Sequence, residues 1–254
     1  MTTTHTVPTK TVFQPTKQEA IMIYTIGDLH LGSQVDKPMS VFGSQWQDHH
    51  LKIQESWLKQ VKASDAVLIP GDISWAMTID DALPDLQWVD SLPGRKYFIR
   101  GNHDYWWRSI QRLNELSETM YFIQNQFFAY QDAAICGTRG WVCPGTPGYT
   151  SQDDKIYQRE ALRLELSLQA AKHAGHDQII AMIHYPPANE KKEPSLFTRL
   201  FEQYNVSHVV YGHLHGEDSH MFGSLGRINQ VTYQLASCDY LNFQVTALHQ
   251  TAGA

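Results

Sequence analysis

The sequence of 254 residues has no long apolar run. A membrane-spanning helix needs about 20 predominantly apolar residues, and no such stretch occurs. The polar, Thr- and Pro-rich start, MTTTHTVPTKTVFQPTKQEA, also lacks the apolar segment of a signal peptide. We therefore expect no membrane association, and we interpret residues 1–21 as a disordered extension ahead of a single domain over residues 22–254.

Cysteine and positive charge are both scarce. The three cysteines (Cys136, Cys143 and Cys238) are odd in number and show no Cys-x-x-Cys spacing, which favours reduced thiols and a cytoplasmic protein. Lysine and arginine total 20 against 26 acidic residues, a formal net charge of −6. This balance argues against nucleic acid or an anionic membrane as a partner, while a small local basic pocket remains compatible with it. Nothing in the sequence indicates a protein partner.

What the sequence does contain is a series of short runs of β-branched and aliphatic residues. Five are continuous rather than alternating, as in strands buried on both faces, and they cover residues 21–28, 66–72, 96–102, 178–185 and 208–215. Helical patterns cover about 49–62, 80–90, 106–117 and 152–173, and further strands are expected within 121–138 and 227–247. The last helix has a capping-box-like start at Ser151 and Asp154. Together these elements predict an α/β layered sandwich.

Polar residues follow each of the five runs, which end in GDLH, GD, GNHD, IH and GHLH. The carboxyl ends of strands form the edge of an α/β sheet where ligand sites gather. In Asp-x-His and His-x-His, the two side chains point to the same side of an extended segment, so each pair can hold one ion. The donors expected at this edge are Asp28, His30, Asp72, Asn102, His184, His213 and His215.

Three carboxylate or amide groups and four imidazoles would fill two adjacent metal sites if one carboxylate bridges. Mixed nitrogen and oxygen ligation suits two divalent or trivalent ions of Mn, Fe, Zn or Co, with Mn and Fe favoured. Two ions about 3.5–4 Å apart would activate a hydroxide bridging them and would clamp the attacking and leaving oxygens of a phosphoryl group. The set of donors therefore predicts a metal-dependent phosphoesterase.

In order and spacing, this set resembles the calcineurin-like metallophosphoesterase superfamily over residues 22–247. The resemblance implies two mixed β-sheets packed as a sandwich and flanked by helices. It implies that the first metal is held by Asp28, His30, Asp72 and His215. It implies that the second metal is held by Asp72, Asn102, His184 and His213, with Asp72 bridging.

The resemblance also implies roles for two residues of the GNHD motif. His103 matches the family's histidine that contacts the scissile phosphate and acts as general acid, and Asp104 completes the catalytic motif. The segment GDISWAM lacks the arginine of the protein serine/threonine phosphatase motif. We therefore expect a small phosphate monoester or diester as substrate. A nucleotide-like ester is one candidate, since the pattern is also similar to class III cyclic-nucleotide phosphodiesterases. A nuclease and a catalytically silent scaffold of the same fold remain alternatives.

Three further features lie outside the set of donors. On a helix over 106–117, Trp106 falls on the apolar stripe, whereas Trp107 faces away from it. Trp107 could stack on a base or sugar at the mouth of the site, with packing against a neighbouring loop as an equal alternative. Arg139, in the Gly-rich segment GTRGWVCPG, could reach a phosphate, with a structural arginine as an equal alternative. Residues 33–50 are long for a strand-to-helix loop and could form a rim over the site, with a passive excursion as an equal alternative.

Overall fold

Two β-sheets form the centre of the protein in a computed structural model that describes residues 21–248. Apart from Ile21, the predicted extension over residues 1–21 lies outside the described residues. No helix of residues 21–248 combines the length and apolarity needed to cross a bilayer. All three cysteines are buried free thiols.

The first sheet has five strands in the order β11-β1-β2-β3-β4. Strands β1 to β4 run parallel, and β11 pairs antiparallel with β1, so the sheet is mixed. All four residues of β2 are buried, as expected for a central strand covered on both faces. The strands are β1 Ile23–Thr25, β2 Ala66–Ile69, β3 Arg95–Phe98, β4 Met120–Phe122 and β11 Thr246–Ala247.

The second sheet has six strands in the order β5-β6-β7-β8-β10-β9. Its four central strands are parallel, and the edge strands β5 and β9 are antiparallel to their neighbours. The strands are β5 Phe128–Tyr130, β6 Ala133–Thr138, β7 Gln178–Ile183, β8 Val206–Tyr211, β9 Gly226–Ile228 and β10 Val231–Leu235.

Helices cover the outer face of each sheet. The helices are α1 His49–Gln60, α2 Ile79–Ser91, α3 Ile110–Asn114, α4 Ser151–His173, α5 Leu196–Gln203 and α6 Glu217–His220. Trp57 of α1 belongs to the apolar cluster on the first sheet, and Leu164 of α4 belongs to the cluster on the second. Between the sheets, Leu68 and Met182 belong to a third cluster. The predicted fold, two mixed sheets flanked by helices, is confirmed.

Helix α4 confirms the predicted helix but begins with a different cap. Thr150, rather than Ser151, is the capping residue, and its side chain accepts a hydrogen bond from the backbone N–H of Asp153. The Asp153 carboxylate accepts in return from the Thr150 backbone N–H at 2.9 Å, which completes a capping box. The predicted box of Ser151 and Asp154 is therefore wrong by one residue.

The predicted helix over 106–117 is also wrong, because α3 contains only Ile110–Asn114. Residues 101–109 form an irregular segment in which the indole Nε1 of Trp106 donates to the buried Asp104 carboxylate at 3.1 Å. Helical phase therefore does not apply to the two tryptophans. Both are buried, and the ring of Trp107 packs edge-on against Phe122, with centroids 5.3 Å apart. Trp107 does not face outward as predicted.

Candidate metal centre

All seven predicted donors lie just beyond the carboxyl ends of five parallel strands. Asp28 and His30 follow β1, Asp72 follows β2, and Asn102 follows β3. In the second sheet His184 follows β7, and the pair of His213 and His215 follows β8. Four of these residues adopt positive φ angles: Asp28 (54°), His30 (45°), Asp72 (52°) and His213 (74°). Such strained backbone conformations cluster at functional sites, where the surrounding structure holds them in place.

The first group of donors brings two imidazoles together. The Nε2 atoms of His30 and His215 are 3.2 Å apart. His215 Nδ1 donates a hydrogen bond to the Asp239 carboxylate at 2.9 Å. In the neutral ring, Nε2 therefore carries the lone pair. Asp28 Oδ1 is 3.8 Å from that same Nε2. A cation placed among Asp28, His30 and His215 would bind these donors together.

The second group converges on the amide oxygen of Asn102. His184 Nδ1 donates to the Pro70 carbonyl at 2.9 Å, so its Nε2 carries a lone pair, yet that Nε2 is 2.7 Å from Asn102 Oδ1. His213 Nδ1 approaches the same oxygen at 2.9 Å. The contact of His184 Nε2 with Asn102 Oδ1 joins two acceptors and is unfavourable by itself. A metal ion bound by both atoms would remove this repulsion between lone pairs. Imidazole nitrogens and amide or carboxylate oxygens are ligands that suit transition metals.

Asp72 lies between the two groups. Its Oδ2 atom is 3.9 Å from His30 Nε2 in the first group and 3.6 Å from His184 Nε2 in the second. Its other oxygen, Oδ1, accepts the backbone N–H of His103 at 2.8 Å. The carboxylate is only 2% exposed. This position is the one that a carboxylate bridging two ions requires.

The electrostatics of the site also fit bound cations. Burial raises the pKa of Asp28 to about 7, and burial raises the pKa of Asp72 as well. Burial lowers the pKa values of His184 and His213 to about 3, so both imidazoles are neutral and able to donate lone pairs. For His215, burial opposes protonation, but the hydrogen bond to Asp239 and the charge of Asp28 raise its pKa to about 9.

His103 lies beside the donors without joining either group. Its ring centroid is 4.3 Å from that of Trp75 and 5.9 Å from that of His30. Burial lowers its pKa below the usual value, partly opposed by the charge of Asp72. The ring is half-buried, so it remains accessible to a ligand above the donors.

Asp104 is completely buried and binds five donors instead of facing the site. Its carboxylate accepts the Trp106 indole N–H and four backbone N–H groups, those of Asp72, Ile73, Ser74 and Gly101. These bonds tie the loop that carries Asp72 to the loop that carries Asn102 and His103. The predicted catalytic role of Asp104 thus corresponds to a positioning residue.

Sequence reasoning missed several residues of the site. Asp239 orients His215, and its location shortly after β10, at the same sheet edge as the other donors, was an available signal. Trp75 stacks on His30 with ring centroids 4.7 Å apart and planes 18° apart. Tyr185, directly after His184, packs against the His213 ring at 4.2 Å. No periodic pattern marks these two aromatic residues.

The loop over residues 33–50 lies where the rim was predicted. It contains two short 3₁₀ helices, Met39–Phe42 and Ser44–Trp46. With His30 and Trp88 it encloses a cavity of about 560 Å³ that opens next to the first group of donors. His49 begins α1, as predicted, and its Nε2 lies 2.8 Å from the Leu29 carbonyl.

Arg139 and Trp107, the predicted substrate contacts, line a different and smaller cavity. The Arg139 guanidinium lies 3.6 Å from Glu160 and stacks over the Trp141 ring at 4.6 Å. Its backbone carbonyl accepts the N–H groups of His184 and Tyr185, which connects this cavity to the metal centre.

Comparison with known proteins places these features in a family. The family model of the calcineurin-like phosphoesterases matches residues 21–217. The Gene 66 protein of Mycobacterium phage D29 is 38% identical over 98 residues, which cover 37% of this chain and 47% of that protein. The corresponding protein of phage L5 is 34% identical over 77 residues, which cover 30% and 37%. The chain therefore spans less than half the length of these curated relatives.

Two solved structures share the fold at low sequence identity. The protein of unknown function AQ665 from Aquifex aeolicus has a TM-score of 0.51 and 15% identity, over 90% of this chain and 96% of that one. The phosphopantetheinyl hydrolase PptH from Mycobacterium tuberculosis has a TM-score of 0.52 and 13% identity, over 91% and 96%. The matched region contains all seven donors and His103. The resemblance seen in the sequence motifs is thereby confirmed, and the chain belongs to the calcineurin-like phosphoesterase family.

Proposed function

We propose that this protein is a binuclear metal-dependent phosphohydrolase that cleaves a small phosphate monoester or diester. The observation that carries the proposal is the convergence of two sets of lone pairs with Asp72 between them. One ion would be held by Asp28, His30, Asp72 and His215. The other would be held by Asp72, Asn102, His184 and His213. The two ions, when bound, would supply a hydroxide nucleophile and neutralise charge on the phosphoryl oxygens.

The remaining steps belong to the protein's own side chains. His103, beside the donors and open to solvent on one side, would donate a proton to the leaving oxygen. A bound phosphate dianion raises the pKa of this imidazole, which offsets the lowering by burial and supplies the proton at the moment it is needed. Asp104 and Asp239 would keep the loops and the His215 ring in place, and such outer contacts are needed to orient metal ligands.

The cavity beside His30 is the place for the organic part of the substrate. Its volume of about 560 Å³ lies in the range of small-molecule sites. The walls include the Trp46 and Trp88 rings, which suit an apolar or ring-bearing leaving group such as a nucleoside. Lys37, with its ammonium 3.2 Å from the Trp75 ring centroid, would place a positive charge at the entrance.

The test combines metal analysis with a hydrolysis assay. Protein loaded with Mn²⁺ should contain two ions per chain and hydrolyse p-nitrophenyl phosphate or its bis ester. Asp72→Asn should reduce both the metal content and the activity, because one carboxylate is proposed to serve both ions. Asp132→Asn, an exposed aspartate in the turn between β5 and β6, is the matched control and should change neither. One ion or none would contradict the binuclear site, and two ions without hydrolysis would indicate a binding scaffold.

A further inference from the structure

A second cavity, of about 310 Å³, lies at the carboxyl ends of β4 and β6 and is closed on one side by α4. It is strongly basic, although the whole chain carries a formal charge of −6. Five arginines and a single carboxylate line it: Arg100, Arg108, Arg139, Arg159, Arg163 and Glu160. Guanidinium groups concentrated around a concave surface make the local potential positive, which favours the binding of an anion.

The carboxylate of the cavity is already shared. Glu160 is 1% exposed, and its Oε1 lies 2.9 Å from Arg163, 3.4 Å from Arg159 and 3.6 Å from Arg139. Its Oε2 accepts the hydroxyl of Thr138 at 2.8 Å. One carboxylate therefore lies against three guanidinium groups, and the net charge of the cavity lining is positive.

The two arginines on the opposite side have no such partner. Within residues 21–248, no carboxylate oxygen lies within 4.0 Å of the Arg100 or Arg108 guanidinium. Arg100 Nε donates to the backbone carbonyl of Asp104 at 3.2 Å, which fixes the side chain and leaves its terminal nitrogens available. Arg108 is exposed at the edge of the cavity.

Two residues that line the cavity each carry a buried donor without an acceptor. The Trp107 side chain is 5% exposed, and its buried Nε1 makes no hydrogen bond. An indole nitrogen can only donate, so this N–H lacks its normal partner. Arg139 Nε is likewise buried without an acceptor. An unpaired buried donor costs free energy, and a ligand oxygen in the cavity would remove that cost.

We propose that this cavity binds a second oxyanion, a phosphate group distinct from the one that reacts at the metal centre. Planar guanidinium groups match the paired oxygens of phosphate, and the Trp107 and Arg139 N–H groups would complete the binding. The cavity adjoins the metal centre, because Arg100 immediately precedes Gly101-Asn102 and the Arg139 carbonyl accepts the His184 N–H. The phosphate can come from a second phosphate group of the substrate or from free phosphate in solution.

The test follows the Trp107 indole N–H directly. In zinc-loaded, ¹⁵N-labelled protein, inorganic phosphate is added and the indole signals are recorded, with Trp107→Phe assigning the Trp107 signal. Trp75 touches the His30 and His103 rings, so its indole reports phosphate at the metal centre in the same spectrum. The Trp107 signal should move toward the frequencies of a hydrogen-bonded N–H. Its midpoint should differ from that of the Trp75 signal.

Arg108→Gln should weaken the phosphate affinity measured at Trp107 by about tenfold, the effect of losing one charge-assisted hydrogen bond, and leave the affinity measured at Trp75 unchanged. Arg112→Gln, an exposed arginine of α3 outside the cavity, should change neither. The proposal is overturned if the Trp107 signal does not move, or if it moves only together with Trp75 and Arg108→Gln has no effect. This readout needs no turnover, so it stays separate from the proposed hydrolase activity.

Kinetics then identify the source of the phosphate. If the cavity holds a second phosphate of the substrate, Arg108→Gln raises the KM for a nucleoside 3′,5′-bisphosphate and not for p-nitrophenyl phosphate. If it holds free phosphate, Arg108→Gln changes neither KM while still weakening phosphate binding at Trp107. Both results support an oxyanion site in this cavity and differ only in what fills it.

Discussion

At the scale of single residues, the proposed mechanism separates side chains that would hold metal from one that would transfer a proton. Two of the candidate donor histidines are fixed by contacts that direct one lone pair inward: His184 through the Pro70 carbonyl and His215 through Asp239. His103 has its backbone N–H bound to Asp72, and its ring lies against the rings of Trp75 and His30. The ring belongs to neither group of donors, so donating a proton would not require it to leave a metal ion.

His103→Asn should keep the metal content and lower kcat by roughly 10²–10⁴-fold, the usual range for losing a general acid. The loss should be much smaller for p-nitrophenyl esters, because nitrophenolate leaves without a proton. Metal content from elemental analysis and kcat for a good and a poor leaving group are the measurements. An equal loss for both leaving groups would assign His103 to charge stabilisation instead of acid catalysis.

The places of the candidate donors were predictable because they follow from topology. Parallel strands of one sheet end at the same edge, so residues directly after them, such as Asp28 and Asp72, lie close together. Asp239 also follows a parallel strand, β10, at this edge, but Trp46 and Trp75 could not be predicted in the same way. Their place at the site depends on how separate loops pack together, which no local periodicity records.

At the scale of elements, the long helix was predictable and the short one was not. Helix α4 has 23 residues, with Leu164 and Leu168 buried four positions apart while Leu162 and Leu166 are exposed. These four leucines alternate in the sequence as they would in a strand, but the helical period of 3.6 residues explains which of them are buried. In the segment before α3, the Asp104 carboxylate accepts hydrogen bonds from the loop after β2, and these tertiary bonds determine the backbone path instead of helical phase.

Thr150→Ala should lower the free energy of unfolding by about 1 kcal/mol, the typical cost of losing a helix N-cap. For a domain of this size, that change corresponds to a fall in Tm of about 2–4 °C. Ser151→Ala is the matched control, since Ser151 lies inside the helix, and its Tm should change much less. Thermal unfolding followed by circular dichroism gives both values. A larger effect at Ser151 would restore the cap predicted from the sequence.

At the scale of the whole molecule, the metal centre joins the two halves of the fold. Asp28, His30, Asp72 and Asn102 come from the first sheet, and the three other donors come from the second. Without metal, like groups lie close together at this junction: burial and the Asp72 charge raise the pKa of Asp28, and the Nε2 atoms of His30 and His215 are 3.2 Å apart. Ions bound there would link the two sheets, and a ligand that binds only the folded state stabilises it.

The stabilisation by metal should increase with pH between 6.5 and about 9. In the metal-free protein the pKa of His215 is raised from 6.5 to about 9. Protonation of His215 therefore stabilises the folded state fully below pH 6.5, and this stabilisation is lost as the pH rises through 9. Metal binding has the opposite dependence, because the ion must displace that proton. The difference in Tm between Zn²⁺-loaded and EDTA-treated protein should therefore widen across this range.

Differential scanning fluorimetry at several pH values gives this difference directly. His215→Gln removes the titrating group and should flatten the dependence. His50→Gln, a substitution of a partly exposed histidine on α1 outside the donor set, should retain it. A difference in Tm that stays constant or narrows as the pH rises would show that the His215 proton does not compete with metal. The raised pKa would then reflect the pairing with Asp239 alone, and the lone pair of His215 would not be a ligand.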